Sequence, residues 1–105
     1  MVQAGDYAAT LHYLKAVADM GGVAEAKKSG AAVVARMKAM PTDDDCFGAG
    51  VIRADGRKIH PSYLFEAKAP SESSGPWDGL KLVATTPANE AFRPLDKGGC
   101  PLVHA

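Results

Sequence analysis

The sequence lacks an excess of charge of either sign. Twelve lysines and arginines balance twelve aspartates and glutamates over 105 residues, so no basic field exists to hold a phosphate backbone. That argues against nucleic acid as a partner. No apolar run approaches the roughly 18 residues of a membrane span. The first residues, Met1-Val2-Gln3-Ala4-Gly5-Asp6, carry neither the basic nor the apolar region of a secretory signal, so the chain as written is expected to stay in the cytoplasm. Cysteine is scarce. Cys46 and Cys100 stand far apart in the sequence, and two free thiols are the expectation. There is no C-x-x-C and no H-x-x-x-H, so a zinc site has no sequence support. The glycines of "FGAGV" lack the lysine and following helix of a phosphate loop.

What remains is an ordinary globular composition, 47% hydrophobic and 23% charged, which argues against disorder. Residues 6 to 20 have helical spacing. Asp6 is the expected N-cap, Tyr7, Leu11, Leu14, Val17 and Ala18 the apolar stripe, and His12, Lys15 and Asp19 the other faces. Gly21-Gly22 stops this helix. A second helical stretch, 23 to 40, is expected to break near Ser29-Gly30, bury Val33, Val34, Met37 and Met40, and end at Pro41. Together, 6–40 reads as a helical hairpin. "PTDDDCFGAG" reads as a loop. Its aspartates are consecutive rather than alternating, so a solvated acidic loop is expected in place of a calcium site.

Residues 50 to 86 read as antiparallel strands. Asp55-Gly56 marks one hairpin turn, and "PSESSGP" separates "SYLFEAKAP" from "WDGLKLVATTP", where Leu80, Leu82 and Ala84 fall on one face at a period of two. Residues 87 to 105 form an irregular tail, laid down by Phe92, Leu95 and Leu102. Helices followed by antiparallel strands give an α+β class. The single tryptophan, Trp77, serves either as a ligand platform or an interface anchor or, the plainer expectation, as a ring capping the end of a strand pair. Catalytic candidates are few. His12, His60 and His104 have no carboxylate or thiol at relay spacing, and Glu66 and Asp78 read as solvated strand-edge charges. No catalytic residue, no metal ligand and no cofactor is expected. A small hydrolase built on Cys46 or a histidine is the weakest alternative.

Four segments carry a resemblance: "VQAGDYAATLHYLKAV", "VVARMKAMPTDDD", "GVIRADGRKIHPSYLFEAKAPSESSGPWDGLKLVATTP" and "EAFRPLDKGGCPLV". Together they resemble the C-terminal end of the solute-binding proteins of bacterial ABC transporters. The group is the branched-chain amino-acid (Leu/Ile/Val-binding-like) family of type I periplasmic binding proteins. The resemblance runs from Val2 to Val103 and is most specific in "IRADGRKIHPSYLFEAKAPSESSGPWD" and "FRPL…GCPLV". It implies a parent with two α/β lobes joined by three hinge crossings, which closes on a small amino acid or carboxylate and docks on a membrane permease without catalysis. It further implies that this chain is a C-terminal segment, a single partial domain, whose parent is periplasmic. Of its residues, Gln3, Asp6 and Tyr7 would approach the solute. Gly79-Leu80 departs from relatives that carry aromatics after "GPWD". A helix pair without its sheet leaves Leu11, Leu14, Val34 and Met37 partly uncovered, so a homo-oligomer is expected. The alternative function is a self-associating structural module that binds no solute.

Overall fold

Glycine sets the limits of the helices. In the computed structural model, which describes residues 2–103, helix α1 runs Val2–Asp19. It ends in a Schellman motif: the Gly22 N–H donates to the Val17 carbonyl at 2.9 Å and the Gly21 N–H to that of Ala18 at 3.1 Å. Both glycines have φ near +95°, where a side chain would be strained (94° and 97°). One turn of helix, α2 (Val23–Ala26), follows, and then α3 (Gly30–Ala39), capped by the Ser29 hydroxyl accepting from the Ala32 N–H at 3.2 Å. Met40 is extended, as a residue before proline prefers. Asp6 is not the N-cap, because α1 begins at Val2 and leaves Asp6 exposed within it.

The buried side of α1 is not the expected stripe. Ala8, His12, Ala16 and Val17 face inward, while Tyr7, Leu14 and Ala18 are exposed. Small residues win there because α3 packs close. From α3, Val33 is buried and Val34 is about half exposed (51%). His12 earns its place by chemistry. Its Nε2–H donates at 2.8 Å to the Met37 carbonyl, one of the carbonyls a helix leaves unpaired in its last turn. Asp19 and Arg36 form an ion pair that ties the outer edges of the two helices.

Three short strands follow: β1 (Thr42–Asp44), β2 (Gly48–Ile52) and β3 (Lys58–Ile59), antiparallel in the order β1-β2-β3. The acidic segment is therefore a strand and turn and not a solvated loop. Asp44 is its hinge. One carboxylate oxygen accepts from the Cys46 and Phe47 N–H groups (3.0 and 2.8 Å), the other pairs with Lys58, and the side chain is only 3% exposed. Gly50 pairs with Thr42 across this sheet. A Cβ on Gly50 would stand 2.4 Å from the Ile59 carbonyl oxygen and 2.8 Å from the Thr42 hydroxyl, so only glycine fits. The β2–β3 turn has Gly56 at φ +83°, as the Asp-Gly signal requires.

Strands β4 (Ser62–Ala67) and β5 (Leu80–Thr86) form a separate antiparallel ribbon. Leu64 pairs with Ala84 but Phe65 with Leu82, so Val83 is an extra residue in the ladder. This bulge moves Ala84 to the face of Leu64 and away from Leu80 and Leu82. Every residue of both strands is exposed. The connecting loop is tied down by Asp78, which accepts from Lys68 Nζ at 2.6 Å and from the Ser74 N–H and hydroxyl at 3.0 and 2.8 Å. Trp77 on that loop is 98% exposed and caps no strand. Beyond β5 the chain is irregular, with 3₁₀ turns at Leu95–Lys97 and Pro101–Val103. Phe92 and Leu95 are half-buried, whereas Leu102 is exposed. Met1, His104 and Ala105 lie outside the described residues.

The shape follows from the scarce core. The Cα radius of gyration is 17.1 Å, against about 13 Å for a compact chain of this length. The accessible area is 7442 Å², against about 5,600 Å² for a globular monomer of this mass.

Gly50→Ala is expected to lose about 1–3 kcal/mol through overpacking of the three-stranded sheet. Gly5→Ala, which meets open space on an exposed part of α1, is expected to gain roughly 0.5–1 kcal/mol. Urea unfolding midpoints check both, and an unshifted midpoint for Gly50→Ala would refute the steric account.

Candidate functional site

Gln3, Asp6 and Tyr7 lie at spacings of three and four on α1, so they occupy one helical face. All three are exposed. Asp6 and Tyr7 join Thr10, Leu11 and Leu14 along a shallow groove of about 360 Å³. Its lower wall is aliphatic, from two leucines that the helix packing leaves outside the core. Its upper end is polar. The Tyr7 hydroxyl donates to Asp45 Oδ2 at 3.4 Å, a long bond that connects the groove to the β1–β2 turn. The negative charge of Asp45 raises the Tyr7 phenol above its ordinary value, helped by partial burial and by that hydrogen bond. Chemically, the groove offers a carboxylate for a cationic group, a phenol oxygen and an aliphatic wall.

The other sequence candidates are placed elsewhere. His12 is 5% exposed and its Nε2 is taken up by Met37. His60 lies between Phe47, tilted against it with centroids 4.2 Å apart, and Phe92, edge-to-face at 5.3 Å, with Nδ1–H donating to the Pro61 carbonyl at 2.7 Å. His104 lies outside the described residues. Cys46 and Cys100 are free thiols, the first exposed and the second half-buried. Asp43, Asp44 and Asp45 do not converge: Asp44 binds Lys58 and Asp45 binds Tyr7. Among the described residues, no group of three histidines, cysteines or carboxylates could hold a metal ion. Asp78 is committed to Lys68 and Ser74, and Glu66 sits opposite Lys81 in the ribbon.

Sequence reasoning missed a larger cleft of about 700 Å³ between the β2–β3 turn and the tail. Arg53, Arg57, Lys58, His60 and Arg93 line it. The first four are contiguous with a hairpin turn, and nothing local marks Arg93, some 35 residues on, as their neighbour. Tertiary contacts unite them: Phe92 with His60, Arg57 over Phe92, and Arg53 with the Arg93 carbonyl.

The model of the periplasmic binding protein family matches residues 1–75. Two solved structures are similar over nearly the whole chain. One is a periplasmic binding protein from Burkholderia mallei, 43% identical with a TM-score of 0.78, over 95% of this chain and 25% of that one. Another is a branched-chain amino acid ABC transporter periplasmic ligand-binding protein from Burkholderia xenovorans, 38% identical with a TM-score of 0.82, over 96% of this chain and 26% of that one. The chain thus spans about a quarter of the length of these structures. No curated protein matches it significantly.

The Tyr7 phenol is expected to titrate above the ordinary tyrosine value, and Asp45→Asn is expected to bring it back down. Ultraviolet titration of Tyr7, in a background where Tyr13 and Tyr63 are phenylalanine, measures this. An unchanged titration after Asp45→Asn would separate the groove from the β1–β2 turn.

Proposed function

The chain belongs to the periplasmic binding protein family, and from that premise we propose that it is part of the solute-binding component of an ABC import system. The solute is a branched-chain amino acid or a related small carboxylate. The observation that carries this reading is the 38% identity to a branched-chain amino acid ligand-binding protein, held over 96% of the chain at a TM-score of 0.82. The function is ligand capture without catalysis, in the periplasm, followed by delivery to the membrane permease. In this reading residues 1–105 are one partial domain, and the solute is enclosed by closure of two lobes, which it favours by binding the closed state more tightly.

Gln3, Asp6 and Tyr7 are the proposed contacts on this chain. The Asp6 carboxylate suits the ammonium of an amino acid, and Leu11 and Leu14 suit an aliphatic side chain. A shallow exposed groove buries too little of a small ligand to hold it alone, since tight small-molecule sites enclose most of the ligand surface. The rest of the affinity belongs to the opposing lobe.

One observation favours a second reading, a self-associating module. The β4–β5 ribbon exposes Leu64 (60%) on one face and Phe65 (49%), Leu80 (60%) and Leu82 (53%) on the other. The chain also exposes roughly 1,900 Å² more than a globular monomer of its mass. That excess reaches the area of a standard protein interface.

Two experiments test these readings. In a chimera, residues 2–103 replace the matching quarter of the Burkholderia xenovorans protein, and leucine binding is measured by calorimetry. Binding is expected, and Asp6→Asn and Tyr7→Ala are each expected to weaken it by on the order of tenfold. A folded chimera that binds no branched-chain amino acid would overturn the solute assignment, and one indifferent to both substitutions would remove the proposed contacts. Separately, sedimentation velocity on the chain should show a concentration-dependent dimer that Phe65→Glu with Leu82→Glu abolishes. A monomer at all concentrations would eliminate the module.

A further inference from the structure

The cleft between the β2–β3 turn and the tail concentrates positive charge in a chain that has no net charge. Four cations line it, and two are neutralised. Arg53 makes a two-pronged contact with Asp55, Nε to Oδ1 at 3.3 Å and a terminal nitrogen to Oδ2 at 2.7 Å. Lys58 pairs with the buried Asp44. The Arg53 hydrogen bond holds the Asp55 carboxyl below its ordinary value, so this acid remains charged and spoken for by the turn. Arg57 and Arg93 remain. Among the described residues neither guanidinium makes a close ion pair, although the charge of Arg57 is still felt by Asp55, which Arg53 already holds.

We propose that this cleft binds a small solute through a doubly charged oxyanion group, a phosphate or a dicarboxylate, held by Arg57 and Arg93. Guanidinium groups are the side chains best shaped for such oxygens, because their parallel N–H groups match two oxygens at once. The Arg57 side chain and the Arg93 backbone are positioned before any ligand arrives. The Arg57 guanidinium lies 5.7 Å from the centre of the Phe92 ring, a cation–π contact that holds it against the tail. The Arg93 backbone is pinned by a hydrogen bond from Arg53 to its carbonyl at 3.0 Å. The turn beneath is braced by the Arg53 N–H to the Arg57 carbonyl (2.9 Å) and the Arg57 N–H to Asp55 (3.1 Å). Preorganisation of this kind lowers the ordering cost of binding.

Size points the same way. About 700 Å³ exceeds the needs of one bare phosphate and falls in the usual range for small organic ligands. The aromatic surface of Phe92 and the ring of His60 offer a floor for the body of such a solute. This site uses the β2–β3 turn and the tail, not the α1 groove, so it stands or falls independently of the solute assignment above.

The test is an amide-resolved NMR titration of the chain with inorganic phosphate and, in a second arm, with succinate, both at constant ionic strength. Saturable shifts confined to Gly56, Arg57, Arg93 and their neighbours are expected in at least one arm. Tighter phosphate binding assigns a phosphoryl solute, and tighter succinate binding assigns a dicarboxylate. Arg57→Gln with Arg93→Gln is expected to weaken the tighter ligand at least about tenfold, while Lys97→Gln, an exposed cation on the same tail, leaves it unchanged. Shifts that never saturate, or that spread over exposed lysines throughout the chain, would overturn the proposal even without a folded double variant.

Discussion

The ring of His12 closes the end of α3, and much of the fold hangs on that contact. A helix leaves its last carbonyls unpaired, and burying one without a donor costs about 1–3 kcal/mol. His12 supplies the donor to Met37 from the neighbouring helix. Doing so fixes the depth at which α1 meets α3, and beside His12 the buried side of α1 holds only Ala8, Ala16 and Val17. With α3 held, the chain leaves it at Pro41 in a set direction. Thr42 then reaches a fully buried position under Gly50, which seats β1 against β2. The larger apolar residues of α1 are left outside, which is how the groove of Leu11 and Leu14 arises.

The same constraint explains the open shape. A core of four small aliphatic residues, one threonine and one histidine cannot also cover the β4–β5 ribbon. The ribbon's sequence asks mainly for one-sided cover. An antiparallel pair with one wet face alternates apolar and polar residues, and here Tyr63, Phe65, Ala67, Leu80 and Leu82 share one face while Ser62, Glu66, Lys81 and Thr86 stand with Leu64 on the other. A two-stranded hairpin in water is marginal. The face of Phe65, Leu80 and Leu82 is therefore the one that a covering surface would meet. The loop around Asp78 braces one end of the ribbon and holds Trp77 98% exposed.

Local chemistry was legible in the sequence, and contact between distant segments was not. Gly21-Gly22, Pro41 and Asp55-Gly56 each act on their own backbone, so the helix stops and the turn follow directly from residue type. The α+β class rests on the same local signals. The failures involve partners far along the chain. His12 reads as a surface residue until the Met37 carbonyl is beside it. Asp44 reads as a solvated acid until Lys58 arrives from the next hairpin. Val83 looks like one more alternating strand residue, because a bulge is a property of the pair and not of the strand. For the groove, Asp6 and Tyr7 were reachable from the resemblance, but their link to Asp45 spans 38 residues and no periodicity encodes it.

Charge connects the fold to its clefts. A neutral chain has no long-range field, so any local excess must come from how its ion pairs are distributed. The β2–β3 turn spends its acids on structure: Asp55 holds Arg53, and Asp44 is drawn into the sheet to hold Lys58. Burial alone would push the Asp44 carboxyl up. Hydrogen bonds from Lys58 and from the Phe47 and Cys46 N–H groups outweigh that and hold it below the ordinary value, so it stays an anion at neutral pH. Each acid used in this way forms no close ion pair with Arg57 or Arg93. The pairing that makes the turn rigid is therefore also what leaves Arg93 without an ion pair at its mouth and Arg57 with only a share of the Asp55 charge. Rigidity and local positive charge in that cleft are one consequence of the same few carboxylates.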